Sequence, residues 1–173
     1  MRLVLRRLST SVSVPLWVEC RSSRGLTELR RPEPLDPQRH DRSAFESGSP
    51  DLDEWLRRYS GQNRRRNTAA TWVITTADMA VVAYVSLAMT GIDRSAAPSL
   101  VAKGAPDPVP ALLIGRLAVD RNQSGLGIGS ALVAHVLATA VSLNATVACR
   151  AVVVRRDRRH RPVVVGEVRF PPV

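Results

Sequence analysis

The residues of this sequence best placed for chemistry form a glycine-rich turn. Gly125, Gly127 and Gly129 alternate between an apolar run and a helical pattern that begins at Ser130. Because glycine lacks a Cβ atom, backbone N–H groups in such a turn can approach a ligand closely. At a helix N-terminus, unpaired N–H groups and the helix dipole together favour a phosphate or pyrophosphate. The segment therefore predicts a phosphate-binding turn.

Two common nucleotide-binding patterns do not fit this turn. A Walker loop ends in Gly-Lys-Ser/Thr, and no lysine follows these glycines. A dinucleotide fingerprint read from Gly127 needs glycine at position 132, where Leu132 stands. A plain strand-to-helix turn is the remaining alternative, although three alternating glycines are more than such a turn requires.

The elements around the turn read as strand, turn and helix. Residues 111–119 form a nearly continuous apolar run, which predicts a buried central strand. Segment 130–143 is predicted to be a helix, because its apolar residues recur at helical spacing, for example at Val133, Val136, Leu137 and Ala140. Residues 71–76 and 80–89 are rich in β-branched and aromatic side chains, so we expect an antiparallel hairpin. Another apolar strand is predicted at 146–154, after the helix.

Two shorter helices are predicted ahead of the hairpin. Asp41 or Ser43 could cap the first, which would end near Gly48 and Pro50. The second would start near residue 50 and bury one face, made of Leu52, Trp55, Leu56 and Tyr59. Residues 91–110 hold glycine, serine and four prolines and are expected to form a long loop.

Composition limits the classes of protein to consider. The chain has 173 residues, which fits one domain, and a formal net charge of +10, which favours an anionic partner such as nucleic acid. A solvated basic surface explains the charge equally well. Neither the two cysteines nor the three histidines have metal-ligand spacing, so we expect no metal site. No apolar run is long enough to span a membrane, so a cytoplasmic protein is expected.

Beyond these patterns, the segments RLAVD at 116–120 and SGLGIGSAL at 124–132 resemble motif A of the GNAT superfamily of N-acetyltransferases. The resemblance implies a mixed α/β fold, with a mostly antiparallel sheet splayed around acetyl-CoA and helices on both faces. In that family the exposed strand backbone pairs with the pantetheine arm, here at Leu117, Ala118 and Val119. The implied pyrophosphate cradle consists of Ser124, Gly125, Leu126, Gly127, Ile128, Gly129 and Ser130. The family usually has Gln or Arg at position 124, and Gln123 lies one place early.

The upstream segments narrow the resemblance to a toxin branch of the superfamily. Residues 45–63, followed by TWVIT, VVAYVSL and PVPALLIGRLAVD, are similar to the TacT-like and AtaT-like toxins. That likeness implies acetylation of the amino acid on charged tRNA, a ribbon-helix-helix antitoxin as partner, and allows a homodimer. A tRNA substrate would suit a basic surface, whose candidate residues are Arg57, Arg58, Arg64, Arg65 and Arg66.

The C-terminal part departs from the family. In the resembling toxins a tyrosine after the fifth strand protonates the leaving thiolate, whereas residues 155–173 contain no tyrosine and five arginines in the stretch 155–161. We therefore assign no catalytic residue. Our hypothesis for this composition is an out-of-frame reading after residue 154. One short strand is possible at 163–168. Without the family's further strands, the strand at 146–154 would have an exposed apolar edge, which dimerisation, an antitoxin or this short strand could cover.

Three functions follow as expectations. The first is acetyl-CoA-dependent N-acetyl transfer to a primary amine, with aminoacyl-tRNA as acceptor. The second is an inactive remnant of such an enzyme, which only binds acetyl-CoA or an antitoxin. The third, supported by charge alone, is a basic nucleic-acid-binding protein. The expected organisation is an N-terminal disordered extension at 1–28, the acetyltransferase domain at 29–154 and a basic tail at 155–173.

Overall fold

The computed structural model describes residues 21–22, 25–26, 28–154 and 163–167. The strands are β1 (Arg21–Ser22), β2 (Gly25–Leu26), β3 (Glu33–Pro34), β4 (Ala70–Thr75), β5 (Val81–Ile92), β6 (Val109–Val119), β7 (Ala151–Val154) and β8 (Val163–Glu167). The helices are α1 (Pro50–Glu54), a π-helical turn (Trp55–Tyr59), α2 (Ser60–Arg65), α3 (Ser99–Ala102) and α4 (Ile128–Asn144), with 3-10 turns at Arg94–Ala96 and Arg121–Gln123.

A six-stranded sheet in the order β3-β4-β5-β6-β7-β8 forms the centre of the molecule, while β1 and β2 pair separately. Every neighbouring pair in this sheet is antiparallel except β6 and β7, which are parallel. The predicted hairpin is confirmed as β4 and β5, and the predicted central strand as β6. The mixed, mostly antiparallel sheet expected from the resemblance is therefore present.

The C-terminal tail contributes the last strand of the sheet. Strand β8 pairs antiparallel with β7, joining Val154 to Val163 and Ala151 to Glu167. The predicted strand at 163–168 is thus confirmed through Glu167, and it covers the edge of β7. The other residues of the tail, and most of the predicted extension at 1–28, lie outside the described residues, so the expected organisation into three segments stays a prediction.

Apolar side chains pack on both faces of the sheet. On one face, α4 buries Ile128, Leu132 and Val136 against a cluster that includes Leu112 and Ile114 of β6. On the other, the region of α1 packs against the sheet through Leu35, Phe45, Trp55, Leu56 and Tyr84. Helices cover both faces, as expected. None of the helices in the described residues is long and apolar enough to cross a membrane.

The segment after Pro50 is helical, but its apolar face differs from the prediction. Trp55 and Leu56 are buried, whereas Tyr59 is 45% exposed and Ser60 is fully buried. The reason is the π-helical turn, which inserts one residue and rotates everything after it around the helix axis. Ser60 therefore takes the buried position that α-helical spacing gives to Tyr59, and its hydroxyl donates to the Leu56 carbonyl at 2.6 Å.

The predicted helix at 41–48 is wrong, since the chain turns there instead. The Asp41 N–H donates to the Met79 carbonyl at 2.9 Å, and the Asp41 carbonyl accepts from the Val81 N–H at 2.8 Å. These bonds tie the segment to the start of β5 and leave its backbone unavailable for a helix. Phe45 is still buried, so the pattern correctly indicated an inward side chain but not its backbone.

The strand predicted at 146–154 begins only at Ala151. Helix α4 ends at Asn144, and the Asn144 side-chain oxygen accepts from the Cys149 N–H at 3.1 Å, which holds the connecting turn. Val147 in this turn is exposed. The predicted loop at 91–110 is shorter than expected, because β5 extends to Ile92, β6 begins at Val109, and α3 lies between them.

Candidate functional site

Strand β6 contains a bulge at Gly115. Arg116 is opposite Ser86 of β5 and Ile114 is opposite Leu87, so Gly115 has no partner residue in the register. One extra residue shifts the alternation of side chains beyond it. Leu117 consequently packs on the same cluster as Ile114, on the α4 face, while Ala118 joins the cluster on the opposite face.

The same strand loses its second neighbour at this bulge. Strand β7 pairs with β6 only from Ala111 to Ile114, and within the described part of the chain nothing pairs with Leu117 or Val119 on that side. The Asp120 N–H donates to the Val82 carbonyl of β5 at 2.8 Å. Since hydrogen-bonding direction alternates along an antiparallel strand, the N–H and C=O groups of Leu117 and Val119 are directed at the open edge.

A glycine cradle continues from this open edge. Gly125 and Gly127 have φ of +83° and +78°, a conformation that favours glycine, and a Cβ at either would meet no atom within 4 Å. Gly127 is the residue that precedes the first turn of α4. A concave depression of about 390 Å³ lies here. It is lined by Val119, Gln123, Ser124, Gly125, Gly127, Ile128, Gly129 and Ser130.

The ten residues predicted to contact the cofactor thus fall into two groups. Seven of them line the depression, and the other three are Leu117, Ala118 and Leu126. Leu117 has its backbone at the open edge. Ala118 is buried. Because successive residues of an antiparallel strand direct their backbone groups to opposite sides, its N–H and C=O groups face β5. Leu126 is partly buried and packs against the α4 core.

The sequence analysis missed Asp120 as a support for the cradle. Its carboxylate is buried and accepts from the Asn122 N–H at 2.9 Å and from the Glu46 N–H at 3.0 Å. The first bond caps the 3-10 turn that leads into the glycines, and the second fastens the 41–49 segment to the site. An aspartate directly after an apolar strand is a recognisable capping signal. The contact with Glu46 has no such local signal.

On the opposite face of the sheet, aromatic rings pack beside the open half of β6. The Trp55 and Tyr84 rings are stacked, with centroids 5.6 Å apart, and the Arg116 guanidinium lies 4.6 Å from the Trp55 centroid. The Tyr84 hydroxyl donates to the Leu52 carbonyl at 2.9 Å, and burial raises the pKa of Tyr84 well above its usual value. Tyr84 is therefore a structural residue and unsuited to donate a proton in a reaction.

The five arginines predicted to contact nucleic acid differ in their surroundings. Arg57 donates to the Phe45 carbonyl at 3.2 Å, Arg58 pairs with Glu54 at 3.1 Å, and Arg64 donates to the Leu35 carbonyl. Arg65 and Arg66 are exposed, and their guanidinium groups have no hydrogen-bond or ion-pair partner among the described residues. Two of the five arginines are therefore free to contact a ligand.

Known proteins share both the sequence pattern and this architecture. Residues 28–161 match the acetyltransferase (GNAT) family. The chain is 36% identical over 114 residues to a tRNA-acetylating toxin of Mycobacterium tuberculosis (strain ATCC 25618 / H37Rv), an alignment that covers 66% of this chain and 68% of the relative.

Solved structures agree with this match. The structure of AtaT complexed with acetyl-methionyl-tRNAfMet is 25% identical, with a TM-score of 0.69, and the match covers 76% of this chain and 81% of AtaT. A tyrosine-to-phenylalanine mutant of KacT has a TM-score of 0.70 at 22% identity, over 76% of this chain and 79% of KacT, which is a likeness of fold. With its open β6 edge, its glycine cradle and a family match over most of its length, the chain belongs to the GNAT family of acetyltransferases.

Proposed function

We propose that this chain transfers the acetyl group of acetyl-CoA to the amino group of the amino acid on a charged tRNA. One observation carries the proposal: the open edge of β6 leads directly into the glycine cradle at the start of α4. A strand edge suits the amide-bearing pantetheine arm, and the cradle suits a pyrophosphate. We place the catalytic domain at residues 29–154.

The proposal that a charged tRNA is the acetyl acceptor rests on similar proteins. The 36% identical protein is a tRNA-acetylating toxin, and AtaT was solved with acetyl-methionyl-tRNAfMet. The net charge of +10 is compatible with a polyanionic substrate. As a toxin-like chain it would be paired with an antitoxin, and we propose one of the ribbon-helix-helix class.

Acetyl transfer from acetyl-CoA to an amine has three requirements. The protein must hold the amine and the thioester together, which can supply much of the rate enhancement. It must stabilise the oxyanion that forms when the amine nitrogen attacks the thioester carbon, and the outward Val119 N–H is a candidate donor. The C–S bond then breaks, the amine loses a proton, and the thiolate of CoA gains one.

We assign no residue to supply the last proton. The sequence contains no tyrosine after Val154, and Tyr84 is buried and hydrogen-bonded to Leu52. We therefore expect the transfer rate to rise with pH as the α-amino group, with an ordinary pKa of about 7.7, loses its proton. No fall should follow at alkaline pH, because such a fall reports a protein general acid. A bell-shaped profile would reveal an acid that this reasoning overlooks.

A second candidate function is binding of acetyl-CoA without transfer. The absence of tyrosine from residues 155–173 favours it, since every residue that lines the cradle lies before residue 155. The two candidates share the binding step and differ only in turnover.

Calorimetric titration with acetyl-CoA tests the binding step, using a variant that separates binding from folding. Ser130 is exposed in the first turn of α4, so Ser130→Glu places a negative charge beside the cradle. That charge should stabilise the helix by about 0.3–1 kcal/mol and repel a pyrophosphate. We expect saturable binding by the unmodified chain and affinity at least about tenfold weaker for Ser130→Glu.

The matched control is Ser142→Glu, which adds the same charge at an exposed position in the last turn of the same helix. It should bind acetyl-CoA as the unmodified chain does. Equal affinity of Ser130→Glu and Ser142→Glu would remove the cradle from the proposal. If binding is intact, radiolabelled acetyl-CoA and a pool of aminoacylated tRNA then test turnover, and binding without N-acetylated product would leave the second function.

A further inference from the structure

We propose that the exposed side of the helical segment 50–66 binds unpaired nucleotides of an RNA strand. A base would stack on the Tyr59 ring, and neighbouring phosphates would contact Arg65 and Arg66. The proposal rests on the proposed function for the choice of RNA as partner, and it assigns the residues that hold the substrate outside the acetyl-transfer site.

The exposure of Tyr59 is the first observation. It lies at the end of the π-helical turn and is 45% exposed, although its predecessors Trp55 and Leu56 are buried. A regular α-helix would have placed this ring inward on the same apolar face. The π-helical turn instead brings Tyr59 to the surface and buries the small Ser60. Such turns occur frequently at functional sites.

The second observation is the state of the arginines around this ring. Arg58 is paired with Glu54, and Arg57 and Arg64 are committed to carbonyl groups of the fold. The guanidinium groups of Arg65 and Arg66 are exposed and have no partner among the described residues. Arg66 follows Tyr59 by seven residues, about two helical turns, so both fall on one side of the segment. An aromatic ring and one available cation, Arg66, thereby share a side of the segment, and Arg65 is next to Arg66 in the chain.

The position of this surface relative to β6 is the third observation. Trp55, one turn before Tyr59, lies under the Arg116 guanidinium. Arg116 belongs to the open half of β6, three residues before Val119. The helix is thus fastened beside the strand that offers its backbone to the thioester. An RNA strand held by Tyr59 would therefore be close to the place where acetyl transfer would occur.

The chemistry of the surface favours an unpaired strand. Every base has a π-face, so stacking on an aromatic side chain requires no particular sequence, but it requires a base that is not buried in a duplex. Arginines without intramolecular partners suit phosphates, and each phosphate contact adds salt dependence. An acidic protein would use the arginines as well, and tyrosine is also enriched at protein–protein interfaces, so such a partner is the alternative outcome of the test.

Fluorescence anisotropy with a short labelled single-stranded RNA, and with a blunt duplex of the same length, tests the stacking. Tyr59→Phe keeps the ring and should bind the single strand like the unmodified chain. Tyr59→Leu keeps apolar area without a ring and should bind it about tenfold more weakly. Binding to the duplex should change little in either variant. Because Tyr59 is exposed, both variants should unfold at the same temperature as the unmodified chain.

A salt titration tests the arginines. The double variant Arg65→Ala/Arg66→Ala should flatten the slope of log affinity against log salt by about 1.4 for the single strand. The matched control, Arg39→Ala/Arg58→Ala, removes the same charge at guanidinium groups that already pair with Glu33 and Glu54. Its slope should change less.

Two results would overturn the proposal. Equal slopes for the two double variants would mean that only the overall charge attracts RNA. Full RNA binding by Tyr59→Leu, together with weaker binding of a polyglutamate peptide by the arginine variant, would assign the surface to an acidic protein. Tyr59→Leu should leave acetyl-CoA binding unchanged, so a failure of the acetyl-CoA titration and a failure of this proposal are separate outcomes.

Discussion

The two halves of strand β6 are both mainly apolar, but their surroundings differ. From Val109 to Ile114 the strand is flanked by β5 and, from Ala111 onward, by β7, and most of its apolar side chains are buried. From Gly115 to Val119 it keeps β5 but has no described neighbour on the other side. The first half is therefore a core strand, and the second has backbone groups without a described neighbour, which we propose contact acetyl-CoA.

The two halves of β6 differ because the strand has a bulge at Gly115 and because the neighbouring strand β7 is short. The bulge at Gly115 keeps Leu117 on the α4 face and moves Arg116 to the face of Trp55. Strand β7 ends at Val154, opposite Ile114, so the edge opens at the same level. The proposed cofactor contacts in this region thus depend on interrupted strand pairing, which the burial of the side chains does not reveal.

The largest expected effect is the difference in stability between two alanine substitutions, one in each half of β6, both on the face that α4 covers. Ile114→Ala removes a fully enclosed side chain and should lower the free energy of unfolding by about 2–5 kcal/mol. Leu117→Ala, at a partly buried position of the open half, should cost clearly less. Urea denaturation of both variants measures the difference. Equal losses would mean that the open half is packed as tightly as the closed one.

Proline substitutions probe the direction of the backbone groups in the open half. Ala118→Pro removes an N–H that the alternation directs at β5, whereas Val119→Pro removes one directed at the open edge. Ala118→Pro should therefore cost about 1–3 kcal/mol more in urea denaturation, because a buried acceptor is left unpaired. Val119→Pro should keep the fold and lower the acetyl-transfer rate by about 10²–10³ if its N–H stabilises the oxyanion. A stable Ala118→Pro beside an unfolded Val119→Pro would reverse the assignment.

How much of this could be predicted from the sequence depends on whether the signal is local. The hairpin, the central strand, α4 and the glycine turn all follow from periodicity and residue type, and the structure confirms each of them. The splayed sheet was predicted only from the family resemblance. These features are encoded by neighbouring residues, so reading the chain in order is sufficient.

The features that the sequence did not predict depend on contacts between distant segments. The turn at 41–48 forms because Asp41 pairs with Met79 and Val81, and its local pattern is compatible with a helix. The bulge at Gly115 is defined only by the register against β5. The π-helical turn that exposes Tyr59 likewise has no periodic signature, since a single inserted residue leaves both flanking patterns intact.

A smaller effect distinguishes the middle of α4 from its first turn, which faces the open half of β6. His135 lies against the Trp72 ring of β4, with ring centroids 4.4 Å apart, and burial lowers its pKa below the ordinary 6.5. The unfolded chain then binds this proton more readily than the folded chain. Stability should therefore fall as the pH drops below about 6.5, until the pH is also below the lowered pKa of His135. At higher pH both states are neutral, and the group adds no pH dependence.

His135→Phe keeps a ring against Trp72 and removes the titrating group. The free energy of unfolding, measured by urea denaturation at several pH values, should lose the part of its acid-side decline that belongs to His135. Every other ionisable group is the same in both proteins, so the difference between the two curves isolates this histidine. The difference should be flat above pH 6.5 and should grow in favour of His135→Phe below it. A difference that stays constant with pH would mean that His135 binds a proton as readily in the folded protein as in the unfolded chain.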